Sequence, residues 1–358
     1  MRTKTLMFLI TYKCNLRCSY CYEPKETVHT ITVNRLKSLI RENVSTLPEK
    51  YDSFEIHFMG GEPLLEFNLI KEVSEWLWEQ NFDKTLSMIY APTNGTLLND
   101  EIKNWYLKNR TRFCLGLSFD GNETMQNINR SNSSPTVDLD FFSQTWPKQS
   151  VKMTISPETL PNLANGVKFL HSKGFSSVVA DMARGPQLNW DKSHLKLLSS
   201  QLDELSIFYL SDNGPHHMSM LDIDIFGIRT DKRTSHKSCS CGEDLSCIDI
   251  DGATYACHLF SPVAIAKDKA KRSQTIDFTD DDNLQNPECQ KCMLNCLCNH
   301  CYGMNYITTD NVCVPDSFHC AAFKTLYVAN CKHQLRIAQQ NGNQKKISRI
   351  GHLIDKIK

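Results

Sequence analysis

The sequence predicts an α/β chain: a partial (β/α)6 TIM-type barrel of parallel strands, then a cysteine-rich module and a C-terminal helix. Three observations carry this. Short apolar runs alternate with helix-period stretches six times between residues 5 and 206. Of the 16 cysteines, three fall within 14–21, one stands at 114, and the other twelve lie between 239 and 331. The last residues carry apolar side chains at helical spacing.

The strands come in order. TLMFLIT at 5–11, FEIHFM at 54–59, LSMIYA at 86–91, FCLGLS at 113–118, SVKMTI at 150–155 and SSVVADM at 176–182 read as buried strands. After the first, Val33, Leu36, Leu39, Ile40 and Val44 mark one face of a helix. Similar stretches near 68–80, 99–109, 138–146, 162–173 and 193–206 follow the later strands. Such repeats imply parallel strands joined by right-handed crossovers, closed or partly closed into a barrel. A doubly wound open sheet has the same periodicity. SDNGPHH is a turn-rich break and LDIDIF an extended link, so the expected domains are 1–220, 235–330 and 331–358. In the last, Ile347, Ile350, Leu353, Ile354 and Ile357 form an apolar stripe. Lys332, Arg336, Lys345, Lys346, Arg349, Lys356 and Lys358 stand against the single acid Asp355. A solvated helix docking one face on the body fits this best.

Forty basic and forty acidic residues cancel, which argues against a nucleic-acid binder. No window reaches 18 apolar residues, so no membrane span is expected. The opening MRTKTLMFLI lacks the apolar core and cleavage site of a secretory signal. Sixteen cysteines in 358 residues is about 4.5%, well above ordinary usage. Without export, this richness points to metal or redox chemistry in the reducing cytoplasm.

Leaving the first strand, TYKCNLRCSYCYEP places Cys14, Cys18 and Cys21 at CxxxCxxC spacing, at the strand end where α/β barrels build active sites. Three thiols do not complete a structural zinc site without a distant fourth residue. They do suffice to hold three irons of a four-iron cluster and leave the fourth open. CNLRCSYC, with Tyr20 before the third cysteine, resembles the signature of radical S-adenosylmethionine (SAM) enzymes. Met59-Gly60-Gly61-Glu62-Pro63 resembles that superfamily's GGEP motif, and Pro92-Thr93-Asn94-Gly95-Thr96 its TNG turn. Ser118 and Asp120 end the fourth strand in GLSFDG, and Arg130 follows in NINRS. The resemblance implies that Tyr20, Gly60, Gly61, Glu62, Asn94, Ser118 and Arg130 contact the cofactor, Ser118 and Arg130 at its carboxylate or ribose. It implies SAM bound at the open iron of a [4Fe-4S] cluster, reductive cleavage to a 5′-deoxyadenosyl radical, and removal of a substrate hydrogen atom.

The later cysteines resemble the SPASM extension of peptide- and protein-modifying radical SAM enzymes. By that resemblance Cys241, Cys247, Cys257 and Cys301 bind one auxiliary [4Fe-4S] cluster, and Cys289, Cys292, Cys298 and Cys320 a second. The gap from Cys298 to Cys301 is two residues where the family usually has three. Cys296 is an alternative to Cys298, and Cys313 to Cys320. Cys239 and Cys331 are left over, and Cys114 reads as a buried structural thiol. A zinc ribbon of Cys289, Cys292, Cys298 and Cys301 is the competing reading. The architecture is similar to anaerobic sulfatase-maturing enzymes, which carry an aspartate base where this chain has His258, and a glutamine where it has Met59.

The expected function is a radical SAM peptide maturase acting on a ribosomally made precursor, to form a thioether, a cyclophane crosslink or an epimerised residue. Formylglycine formation from Cys or Ser is the alternative, and His258 the candidate base in either. An inert iron–sulfur or zinc scaffold fits poorly with the intact cysteine loop and GGEP. The barrel begins near residue 1, so a precursor peptide is expected to need a separate leader-binding protein or direct docking. The electron donor implied is a flavodoxin or ferredoxin.

Overall fold

The first strand, β1 (Thr3–Thr11), alternates half-buried and buried side chains before becoming fully buried from Phe8 onward, as a strand covered on both faces must. The computed structural model describes residues 2–23, 29–211, 214–228, 239–280, 284–298 and 300–357. The expected link and module start at 235 fall partly outside the described residues.

After β1 come α1 (Val33–Ser45), β2 (Ser53–Gly60), α2 (Phe67–Glu79), β3 (Thr85–Thr93), α3 (Asp100–Asn109) and β4 (Phe113–Leu117). Then follow α4 (Glu123–Asn129), α5 (Leu139–Thr145), β5 (Val151–Ile155), α6 (Leu163–Ser172), β6 (Ser177–Met182), α7 (Lys192–Ser211) and β7 (His217–Met218). The cysteine-rich part contributes β8 (Leu245–Ile248), β9 (Thr254–Tyr255), α8 (Lys267–Ser273), α9 (Pro287–Gln290) and α10 (Tyr302–Thr309). Two further helices, α11 (Ser317–Gln340) and α12 (Gln344–Ile357), end the chain. Helix starts are fixed by short polar side chains: Thr32 accepts from Arg35 N, Asn99 from Ile102 N, and Asn122 from Met125 N.

All six expected strands are present within two residues of their expected ends. One sheet runs β4-β3-β2-β1-β8-β9, with β1 to β4 and β8 parallel and β9 antiparallel to β8. The other runs β5-β6-β7, all parallel. The chain divides into two compact units. Unit 1 comprises residues 1–118, 135–146 and 237–284, and unit 2 residues 119–134, 147–236 and 285–358.

In unit 1 the core behind β4 is aromatic. Trp105 meets Tyr106 edge-on at 5.0 Å, and Tyr106 meets Phe113 at 5.1 Å. Such buried rings each contribute roughly 1.5–3 kcal/mol by burial. In unit 2, Ile225, Leu294, Tyr327, Cys331 and Ile350 close a second core.

One expectation needs correction. The tail is not one helix starting after Cys331: α11 begins at Ser317, and Gly342 (φ +63°) breaks the chain before α12. The apolar stripe docks as expected, with Ile350 fully buried. The cysteine-rich part contributes to the first sheet, its strand β8 pairing in parallel with β1.

Candidate active site and metal centres

The loop after β1 is braced by its neighbours' backbones. Gly61 N donates to Thr11 O at 3.1 Å and Glu62 N to Lys13 O at 2.9 Å. Only glycine permits this approach. A Cβ at Gly60 (φ +148°) would lie 2.0 Å from Thr11 O, and one at Gly61 would lie 2.4 Å from Lys13 O and 2.9 Å from Cys14 Cβ. The pair of glycines therefore shapes the cysteine loop itself.

From β3 comes a second brace. Asn94 Nδ2 donates to Asn15 Oδ1 at 2.9 Å, and Asn15 Nδ2 donates to Thr96 Oγ1 at 2.8 Å. The Glu62 carboxylate is buried and accepts from Leu64 N, Thr93 Oγ1 and Asn94 N at 3.0, 2.8 and 2.7 Å. It ties GGEP to TNG. Ser118 N donates to Thr93 O, which sets the end of β4 beside the same turn.

On this braced loop Cys14, Cys18 and Cys21 are all half-buried, as is Tyr20. Leu16 N–H points at Cys14 Sγ (3.5 Å), and Cys21 N donates to Cys18 O (3.1 Å). A backbone donor aimed at sulfur and a cradle kept clear by glycine suit thiolates holding a cluster. In unit 2, Arg130 Nε lies 3.1 Å from the fully buried Asp120 carboxylate, which also accepts from Thr154 N and Asn129 Nδ2.

Cys241, Cys247 and Cys257 are buried in unit 1. Cys247 faces Tyr255 across β8 and β9, and Gly252 (φ +97°) makes the turn between them. That turn accounts for the glycine five residues before Cys257. Tyr22 was not singled out from the sequence. Burial raises its phenol well above the ordinary value, and charges on Glu23, Cys21, Cys257 and Cys247 add to this. Its ring lies 5.9 Å from that of His258. Tyr22 thus sits between the CxxxCxxC loop and the second thiol group, a placement no spacing rule reveals. His258 is half-buried, its Nδ1 is buried without a hydrogen-bond partner, and desolvation lowers its imidazole to about 4. At neutral pH it is an uncharged acceptor, a weaker base than ordinary histidine.

In unit 2 a cavity of about 390 Å³ is lined by Cys289, Cys292, Cys298, Cys301 and Cys320, with Arg184 on its wall. Cys298 is raised to about 12, first by burial and then by the neighbouring Cys320, Cys289 and Cys292. Neither Cys296 nor Cys313 lines this cavity. Cys296 Sγ instead faces Gly227 O and Met293 O. Cys331 packs in the apolar core with Tyr327, and Cys114, half-buried on β4, is raised to about 11 by burial. Among the described residues no three His, Cys, Asp or Glu side chains converge to hold a single metal ion. Thiols spread around a cavity suit a multi-atom cluster better than one ion.

The sequence pattern of the Radical SAM superfamily matches residues 8–198, more than half of the chain. A serine-type anaerobic sulfatase-maturating enzyme of Klebsiella aerogenes is 25% identical over 329 residues, covering 82% of this chain and 78% of the relative. An uncharacterized protein of Methanocaldococcus jannaschii is 26% identical over 201 residues, 54% of this chain and 66% of that protein. Among solved structures, native anSMEcpe with bound AdoMet and Cp18Cys peptide superposes with a TM-score of 0.70 at 19% identity, covering 94% of this chain and 99% of that one. Streptococcus suis SuiB bound to precursor peptide SuiA gives 0.59 at 16% identity, covering 88% and 76%. These likenesses are of fold. The chain belongs to the Radical SAM superfamily, and is an enzyme of iron–sulfur and S-adenosylmethionine chemistry.

Proposed function

We propose that this Radical SAM enzyme is a cytoplasmic peptide maturase. It takes a hydrogen atom from a residue of a ribosomally made precursor, leaving a cyclophane or thioether crosslink or an epimerised residue. The single observation that carries this reading is the combination of a braced CxxxCxxC loop with two further thiol groups in one chain.

In this reading Cys14, Cys18 and Cys21 hold the cluster that binds SAM. Gly60, Gly61 and Asn94 shape its surroundings, with Tyr20, Glu62, Ser118 and Arg130 completing the cofactor site. When bound, the cluster and SAM supply a 5′-deoxyadenosyl radical. The chain's own residues orient the cofactor and keep the loop fixed. Cys289, Cys292, Cys298 and Cys320 hold one auxiliary cluster, and Cys241, Cys247 and Cys257 another, for which Cys301 is the fourth ligand by family pattern. His258 serves as hydrogen-bond acceptor or base toward the substrate. A flavodoxin or ferredoxin delivers the electron, and a separate leader-binding protein presents the peptide.

A second reading, formylglycine formation, is supported by the 25% identity to the Klebsiella enzyme along 82% of the chain. Mass spectrometry separates the two. Reduced, reconstituted protein is incubated with SAM and either a precursor peptide or a peptide carrying a sulfatase Cys or Ser site. Loss of two hydrogens without hydrazide reactivity marks a crosslink, and deuterium uptake at unchanged mass marks an epimer. A hydrazide-reactive aldehyde on the sulfatase peptide favours the second reading. Cys18→Ala is expected to abolish 5′-deoxyadenosine formation in all cases. Persisting cleavage would remove Cys18 from the proposed cluster.

A further inference from the structure

One guanidinium, that of Arg184, stands in the wall of the unit 2 thiol cavity. We propose that Arg184 is the counter-charge of the iron–sulfur cluster in that cavity, placed so that it stabilises the cluster's reduced form. This rests on the reading of Cys289, Cys292, Cys298 and Cys320 as the ligands of an auxiliary cluster.

Charge pairing sets Arg184 apart. Arg130 lies 3.1 Å from the Asp120 carboxylate, and Lys152 on β5 is paired with Asp181 on β6. Arg184, half-buried two residues beyond β6, has no hydrogen bond and no carboxylate within ion-pair distance among the described residues. A guanidinium drawn partly out of water ordinarily finds an anionic partner. The acid on the cavity wall, Glu288, is taken by Lys291 at 3.0 Å. What the cavity presents instead is thiols. Four thiolates around a four-iron cubane leave a net negative charge, which grows on reduction.

The backbone fixes where this guanidinium starts. Ala183 N donates to Ile155 O at 2.8 Å, and Ala183 O accepts from Trp190 Nε1 at 3.0 Å. Gly185 follows with φ +148°, and Leu188 N closes the turn on Gly185 O at 3.2 Å. The Trp190 ring stacks on Phe318, with centroids 5.0 Å and planes 12° apart. Phe318 lies in the first turn of α11, two residues before Cys320. The loop that bears Arg184 is therefore pinned to the helix that bears a cluster cysteine, all within unit 2.

The other cationic chain on the wall is less effective. Lys324 is exposed, so water and salt screen its charge. Arg184 is half-buried and keeps its proton at any working pH. Its charge favours the more negative, reduced cluster and so raises the reduction potential.

The test is a redox titration of the anaerobically reconstituted full chain, followed by electron paramagnetic resonance. Wild type is compared with Arg184→Gln, Arg184→Lys and Lys324→Gln, and Cys320→Ala identifies the signal of the unit 2 centre by its loss. In Arg184→Gln that centre is expected to keep its iron but to become about tenfold harder to reduce, a fall of about 59 mV for a one-electron couple. Arg184→Lys should keep most of the wild-type potential, and Lys324→Gln should change the reduction equilibrium less than about twofold. An unchanged potential in Arg184→Gln would overturn the proposal and leave the guanidinium to another anion, such as a substrate carboxylate. Retention of all iron and every signal in Cys320→Ala would instead overturn the auxiliary-centre reading beneath it. If Arg184→Gln fails to load the centre, urea denaturation of the metal-free protein decides. An unchanged or raised midpoint, with Arg184→Lys loading normally, supports the counter-charge. A lowered midpoint makes Arg184 a structural residue and overturns it.

Discussion

Replacing Glu62 by Gln keeps the side chain's shape and removes one acceptor. In the native protein Oε1 accepts from Leu64 N and Thr93 Oγ1, and Oε2 accepts from Asn94 N at 2.7 Å. With a glutamine, whichever way the amide turns, its NH2 faces a backbone N–H. A hydrogen bond to a charged acceptor is worth about 1.5–3 kcal/mol, and an abandoned buried donor costs about 1–3 kcal/mol. Part of that is recovered by local movement, so Glu62→Gln should destabilise the protein by about 3 kcal/mol. Urea denaturation of the metal-free protein measures this, and amide exchange at Asn94 should quicken roughly a hundredfold. The metal-free state matters because a residue that acted only on the cofactor would leave it untouched. An unchanged midpoint, within about 0.5 kcal/mol, together with unchanged exchange and weaker SAM binding, would refute the bracing role.

Three further outcomes follow from the same geometry. Gly61→Ala forces a Cβ to 2.4 Å from Lys13 O and should lower stability by about 1–3 kcal/mol and deplete iron at the Cys14 loop, read by urea denaturation and iron assay. Cys320→Ala should remove one cluster's worth of iron while Cys313→Ala does not, because Cys320 lines the unit 2 cavity and Cys313 does not. Lys4, whose Nζ donates to Glu243 O at 2.6 Å, is lowered to about 8, chiefly by burial. The unfolded chain keeps that proton up to about pH 10.4, so stability rises between pH 8 and 10 and the gain is lost as pH falls through 8. Relative to Lys4→Met the wild type should gain about 2 kcal/mol over that range, and parallel curves for the two would contradict this.

What the sequence made legible were features with a strong local cause. The six strands are short apolar-rich runs bounded by turn signals, and each lies within two residues of its expected ends. Other elements lack such a cause. The β8 segment LSCI is four residues long, too short to carry a period, so its pairing with β1 and β9 is what makes it a strand. Helix α4, ETMQNIN, has no apolar stripe and depends on the Asn122 cap and on Met125 packing beside Gly121. The motif glycines stood out in the sequence through GGEP alone. The partner found is the backbone of Thr11 and Lys13, since a motif names residue types but not which surface they meet. Tyr22 escaped notice because its setting comes from residues more than two hundred positions away.

The pairing of β8 with β1 also explains how unit 1 carries two thiol groups on one framework. Their register sets Met7 opposite Cys247, so the strand that leads into Cys14 and the strand that bears Cys247 are hydrogen-bonded neighbours. Side chains alternate along a strand, which puts Cys247 and Asp249 on the same side of β8's path and Ser246 and Ile248 on the other. The Asp249 carboxylate accepts the Tyr12 hydroxyl, and both groups are buried. Tyr12 is two residues before Cys14, as Asp249 is two after Cys247. A one-residue slip of β8 would turn Cys247 to the opposite face and strand a buried carboxylate without its hydroxyl. The Tyr12–Asp249 contact therefore locks the register that places both sets of thiols. That makes the spacing between the two groups a property of this sheet, set before any metal binds.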